Sequence, residues 1–190
     1  MSHEAEITSL KNDRVKDLVR LRTRRERDRR GLTIIEEPLV IARALDAGYP
    51  FETLYYCPDQ VTDEDLLSRL GDVSGLEPVL VSGPVMDKIS YREHGAGLLV
   101  VAPQVAVGLD DLELPENALV VILENVEKPG NLGAILRTAD GAGAHAVLLC
   151  GGGTDLFNPT CCGLRAGRSS ACRPSPPRPP PCWISATCVA

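Results

Sequence analysis

After Pro159 this 190-residue chain contains no Asp or Glu, although 26 acidic residues precede that point. The last 31 residues hold six prolines and five of the seven cysteines (Cys161, Cys162, Cys172, Cys182 and Cys188), so an ordinary fold must be built from what lies before them. The run Arg173-Pro174-Ser175-Pro176-Pro177-Arg178-Pro179-Pro180-Pro181 is neither a helix nor a central strand, because each proline removes a donor and fixes φ. Four readings compete for the segment. Zinc would want paired C-x₂-C spacings, and no His follows His145, so no metal is expected. A disulfide framework needs an oxidising compartment, for which no targeting segment speaks. A polyproline ligand explains the arginine-flanked prolines but neither the cysteines nor the missing acids. A segment never selected as protein explains all three features, and it would have no unique fold.

The composition before the break is that of a globular protein. Over the whole chain 44% of residues are apolar and 24% charged, and no uncharged run approaches the ~18–20 residues of a membrane span. No membrane partner is expected. Met1-Ser2-His3-Glu4-Ala5-Glu6 is polar and acidic with no apolar stretch after it, so the expected location is the cytoplasm. The net charge of −6 hides an asymmetry: residues 11–30 carry ten Lys/Arg against four Asp/Glu, +6 locally, which leaves −12 for the rest. A patch of that kind attracts polyanions whatever the global balance. The competing reading is a solvated helix face on which Glu26 and Asp28 pair with neighbouring arginines.

Hydrophobic spacing predicts alternating helices and strands up to residue 159. Val15, Leu18, Val19 and Leu21 mark one helix over residues 11–29, ended by Gly31. Strands are expected at 32–36, 52–57, 78–81 and 97–102, and helices at 38–47, 62–70 and 85–89. Thr62 with Asp65 resembles a capping box. Residues 103–117 read as an acidic connector. Then Ala-Leu-Val-Val-Ile-Leu-Glu at 118–124 is a nearly unbroken apolar run, the pattern of a strand covered on both faces. A loop at 125–130, a helix at 131–143 with Leu132, Ile135, Leu136 and Ala139 inward, and an apolar strand at 145–150 complete a parallel βαβ unit. The fold class is α/β.

Ligands of such sheets gather beyond the carboxyl ends of the strands, which is where the 125–130 loop lies. Pro129-Gly130 turns the chain sharply, Asn131 is placed to cap the helix, and Arg137 projects from it. On spacing alone, a well-capped crossover helix explains the loop equally well. Gly151-Gly152-Gly153 follows a strand but precedes no helix or ribose-binding acid, so it is not a dinucleotide fingerprint.

The run N-V-E-K-P-G-N-L-G-A-I-L-R-T-A-D, residues 125–140, closely resembles the first signature motif of the SpoU/TrmH family, the SPOUT-superfamily RNA 2′-O-ribose methyltransferases that use S-adenosyl-L-methionine (AdoMet). Lys128 stands where the family more often has Asp. Upstream, Ile7-Thr8-Ser9, Lys11-Asn12, Arg29-Arg30-Gly31-Leu32 and Ile35-Glu36 resemble that family's RNA-binding module, itself similar to small ribosomal proteins, with Glu36-Glu37 in place of the usual Glu-Gly. The resemblance covers residues 6–159.

It implies an RNA-binding domain at 1–103, a linker at 104–117, the first βαβ portion of a trefoil-knot methyltransferase domain at 118–159, and an aberrant tail at 160–190. It also implies catalytic roles for Asn131 and Arg137, with the arginine orienting or activating a ribose 2′-hydroxyl. A guanidinium can hold a phosphate bidentately and stabilise a developing alkoxide. The basic segment becomes the expected RNA contact through Lys11, Arg14, Arg20, Arg22, Arg24, Arg25, Arg27, Arg29 and Arg30. Ribosomal RNA is the expected target in preference to tRNA, AdoMet the cofactor and a homodimer the family's assembly.

After Thr-Asp-Leu-Phe-Asn-Pro, residues 154–159, family members continue with a segment like N-V-V-R-A-S-x-G-A-L-F-x-x-P. With one added A and permitted codons, residues 160–174 read in the next frame as N-V-L-R-A-S-R-G-A-L-F-C-V-P. A frameshift near residue 160 is therefore expected. The lost segment would hold the two later motifs, which form the AdoMet pocket and much of the dimer interface. The cofactor-binding residues are then unknown, and the chain is expected to be inactive, with a non-catalytic RNA-binding remnant as the alternative.

Overall fold

The computed structural model describes residues 6–91, 95–105, 109–151, 155–159 and 182–184. It divides into two compact units, Met1–Gln104 and Val105–Ala190. Among the described residues no helix is long and apolar enough to cross a membrane.

The first unit is built on a four-stranded sheet ordered β1–β4–β2–β3, with β1 at Leu32–Ile35, β2 at Thr53–Tyr56, β3 at Glu77–Leu80 and β4 at Leu98–Pro103. β4 runs antiparallel to both β1 and β2, while β2 and β3 are parallel. Pro78 is tolerated because β3 is the last named strand of this sheet, met beyond, among the described residues, by a single bridge from Ile7 to Val81. Side-chain alternation along β4 divides the core. Leu99 and Val101 point to a layer with Val15 and Leu18 of α1 (Asp13–Arg20) and Val85, Met86 and Ile89 of α5 (Gly83–Ile89). Leu98, Val100 and Ala102 point to the other layer, with Ile41 of α3 (Pro38–Asp46) and Leu66 and Leu70 of α4 (Glu64–Gly71).

The single helix expected over 11–29 is two. α1 ends at Arg20, and α2 spans Arg24–Arg30, ending at Gly31 in the left-handed region. In a continuous helix the carbonyls of Leu21 and Arg22 would accept from the amides of Arg25 and Glu26. Here the guanidinium of Arg27, only 1% exposed, donates to both carbonyls at 2.7 and 2.8 Å and so replaces one turn of helix. The sequence does carry a signal for the break, since Thr23 with Glu26 three residues on has the spacing of a helix start. The expected capping box at Thr62 is also displaced: Asp63 caps α4 by accepting from the Leu66 amide.

In the second unit β5 (Val120–Glu124) and β6 (Ala146–Cys150) are parallel, joined by α6 (Pro129–Gly141), which is the expected βαβ unit. Val121 and Leu123 pack with Leu132, Leu136 and Ala139 of α6. The opposite face of β5 departs from expectation. Ile122 is 64% exposed; on that face Val120 and its β6 neighbours Ala146 and Leu148 meet Leu112, so among the described residues the strand is covered on one face and only thinly, at one end, on the other. Within the segment read as having no unique fold, residues Cys182–Ile184 form a short strand, β7, parallel to β6. This departs from the expectation of no regular structure there; the proposed frameshift segment, residues 160–174, lies outside the described residues.

Candidate functional site

The basic segment of the first unit spends most of its charge on the protein itself. Asp13 pairs with Lys16, Asp17 with Arg20 and Arg30, Glu26 with Arg29 and Arg30, and Asp28 with Arg24. Arg14 reaches across to Glu77. These contacts leave directional marks: the hydrogen bond from Arg30, aided by Arg20, holds the Asp17 carboxyl below its ordinary range, and that from Arg29 does the same for Glu26. Glu26 in turn raises Arg29, and Glu77 raises Arg14. Exposed pairs of this sort add little to stability, because solvent screens them. Their larger effect is to cancel field within the patch.

Of the nine cations expected to contact RNA, Arg27 is removed by burial. Arg22 is half-buried, its Nη2 donating at 2.7 Å to the main-chain oxygens of Lys88 and Ser90. Arg14, Arg20, Arg24, Arg29 and Arg30 carry carboxylate partners but keep exposed or partly exposed side chains. Lys11 and Arg25 are exposed and form no ion pair among the described residues. Glu36, which stands before the unusual Glu37, is buried, and its carboxylate accepts the Tyr91 amide at 2.9 and 3.1 Å. Nothing in the charge pattern of the sequence marks it out from the other acidic residues.

In the second unit the signature loop begins at the carboxyl end of β5. Asn125 adopts φ +51, a left-handed conformation uncommon outside glycine, and its amide donates to the Cys150 carbonyl at 3.1 Å. Opposite it Gly151 has φ +80, and a Cβ there would lie 2.2 Å from Asn125 Oδ1. The two strand ends are thus fastened to each other by residues just outside the ladder.

α6 starts two residues earlier than expected. Lys128 is the N-cap and Pro129 the first helical residue, where its fixed φ is favourable and its missing donor costs nothing. Asn131 therefore lies within the first turn, exposed, and is not the cap. Arg137 is half-buried on the same helix, about 9 Å further along the axis at ~1.5 Å per residue. Six residues turn the helix ~600°, so the two side chains leave it ~120° apart, and a common ligand must bridge them.

Known proteins resemble both units. Residues 12–100 match the MRM3-like substrate binding domain and residues 118–173 the SpoU rRNA Methylase family, the latter match running beyond Pro159. The 23S rRNA (guanosine(2553)-2′-O)-methyltransferase RlmP of Bacillus subtilis is 28% identical over 80% of this chain and 57% of its own length. An AdoMet-bound rRNA methyltransferase from Sinorhizobium meliloti superposes with a TM-score of 0.76 at 29% identity, covering 97% of this chain and 65% of that one. A crystal structure of an RNA 2′-O ribose methyltransferase gives 0.72 at 32% identity, covering 96% and 66%. The chain spans 35–57% of the length of the first curated relatives it matches. The chain thus carries an MRM3-like substrate-binding module followed by a SpoU methylase segment that bears the Asn125–Asp140 motif on a βαβ unit, in an α/β fold that matches SPOUT methyltransferase structures.

Proposed function

We propose that this chain binds ribosomal RNA through an RNA-binding domain at residues 1–103, within the first unit, and that the 190 residues by themselves transfer no methyl group. Residues 104–117 serve as the linker, 118–159 hold the retained part of the methyltransferase domain, and 160–190 are an aberrant tail arising from the frameshift. Asn131 and Arg137 keep the family's catalytic positions. Arg137 has the chemistry to hold a phosphate and stabilise charge developing on a ribose oxygen, with Asn131 positioning the neighbouring group. The location proposed with this reading is cytoplasmic.

The observation that carries the second half of the proposal is at the strand ends. AdoMet, bound by the S. meliloti relative, would be sought beyond the carboxyl ends of β5 and β6. Among the described residues there, the Asn125 side chain lies against Gly151, where an added Cβ would fall 2.2 Å from its Oδ1, and this close approach of the two strand ends supports the reading that they leave no room for an adenosyl group. The exposure of Ile122 supports it further, since among the described residues no helix covers that face of the sheet. Transfer depends heavily on positioning, worth up to ~7–11 kcal/mol of barrier in well-oriented systems. The frameshift reading also removes the segment that the resemblance assigns to the family's dimer interface, and we propose on that ground that the chain does not dimerise by that route.

Filter binding of the chain to an rRNA fragment and to tRNA, followed by incubation with methyl-labelled AdoMet, tests both halves. Salt-dependent binding that favours the rRNA, with no label transferred, is the expected result. Transferred label would establish the chain as an active enzyme. The informative substitution is Lys11→Ala with Arg25→Ala; including Arg27 would damage the fold and mislead. Unchanged affinity in that double variant would remove the basic segment from the interface.

A further inference from the structure

Tyr91 stands apart from the other aromatic residues described in the first unit. Phe51 and Tyr55 are buried, Tyr49 and Tyr56 half-buried, whereas Tyr91 is 38% exposed. It is nonetheless held at three points. Its amide donates to both oxygens of the buried Glu36 carboxylate, its hydroxyl donates to the Arg22 carbonyl at 3.2 Å, and the Arg22 guanidinium lies over its ring, 5.6 Å from the centroid. Arg22 is itself fixed by the carbonyls of Lys88 and Ser90. The unpaired Arg25 follows three residues later. Lys88 also donates to the Leu10 carbonyl, which brings Lys11 to within one residue of the same contact network.

An aromatic ring that is exposed yet immobilised has lost its conformational entropy without gaining full burial. That is an unproductive arrangement for stability and a productive one for binding, because a partner that stacks on the ring has less ordering to do. Unpaired nucleobases stack on aromatic rings and guanidinium planes, and adjacent cations take the flanking phosphates. A base inside a duplex offers no free face. We infer that Tyr91, backed by Arg22, is a stacking platform for an unpaired base of the bound RNA, with Arg25 and Lys11 meeting the adjoining phosphates. The inference rests on the proposal that the first unit binds RNA and specifies which RNA it prefers: a loop or bulge in preference to continuous duplex.

The test uses the full chain with two RNAs of equal length, one a hairpin carrying 2-aminopurine in its unpaired loop, the other fully duplex. Wild type should bind the hairpin more tightly and quench the fluorophore. Tyr91→Ala should lose about tenfold in hairpin affinity together with the quenching, and leave duplex affinity within about twofold, while Tyr91→Phe keeps both properties. If Tyr91→Ala proves unfolded by circular dichroism, Tyr91→Leu keeps an apolar contact without the π face and is read in the same way. Equal loss on both RNAs, or quenching that survives in the Ala or Leu variant, would overturn the inference while leaving RNA binding intact. Absence of binding to either RNA by the wild type would overturn the RNA-binding proposal and this inference with it.

Discussion

β4 and β5 are written in nearly the same letters, Leu-Leu-Val-Val-Ala-Pro and Val-Val-Ile-Leu-Glu, and are buried very differently. Every β4 side chain from Leu98 to Ala102 is buried, alternating between one helical layer made by α1 and α5 and another made by α3 and α4. In β5 the side chains facing α6 find a core, while Ile122, on the other side, is 64% exposed. An apolar run records a strand's suitability for two covered faces. It carries no information on whether the covering layers are present, because those are set by residues elsewhere. In the first unit four helices supply them; among the described residues of the second unit one helix does.

That contrast is sharpest in a pair of truncations. Leu99→Ala, at a site with no exposure, should cost about 2–5 kcal/mol in denaturant unfolding of the first unit, whereas Ile122→Ala should stay within about 0.5 kcal/mol. A cost at Ile122 equal to that at Leu99 would mean that β5 is covered in solution. A second pair separates structure from function within the basic segment. Arg27→Ala removes a buried charge and two hydrogen bonds, leaving the Leu21 and Arg22 carbonyls without that donor, and should destabilise the first unit by roughly 3 kcal/mol. Arg25→Ala should leave stability unchanged and weaken RNA binding.

Next in size is Gly151→Ala, which forces a Cβ into Asn125 Oδ1 at a positive φ. It should cost about 1–3 kcal/mol and speed exchange of the Asn125 amide, which is held by Cys150. Unaltered exchange would show that the strand ends are not fastened there. The smallest effect concerns pH. Asp17 and Glu26 titrate below their ordinary range in the folded state, so their contribution is present above the unfolded carboxyl pKa and is lost as pH falls through the lowered, folded value. The first unit should therefore lose a little stability on acidification, less so in high salt, because both carboxylates are reached by solvent.

The expected elements were found within a few residues because apolar spacing reports the layer that each side chain enters. β1 through β4, and the βαβ unit with Leu132 and Leu136 inward, were legible in that way. The break between α1 and α2 was not, since a periodic reading sees Arg27 as one more surface cation and not as the donor that ends a helix. The start of α6 was misplaced because Asn131 is a good cap in isolation, while Pro129, already suited to a first turn, takes precedence. The motif residues Asn131 and Arg137 were visible through resemblance alone; their spacing on one helix would not have distinguished them from any polar face. The Glu36–Tyr91–Arg22 arrangement joins residues up to 69 positions apart and has no local pattern to find.

Calorimetric titration of AdoMet into the chain is the most direct measure of the difference between the two units, run beside a version in which the proposed frameshift is reversed after the codon for Pro159. No saturable heat is expected from the 190-residue chain, and micromolar binding is expected from the restored version. Micromolar binding by the 190-residue chain itself would contradict the proposal, since it would show that the strand ends around Asn125 and Gly151 open to form a cofactor site without the later motifs.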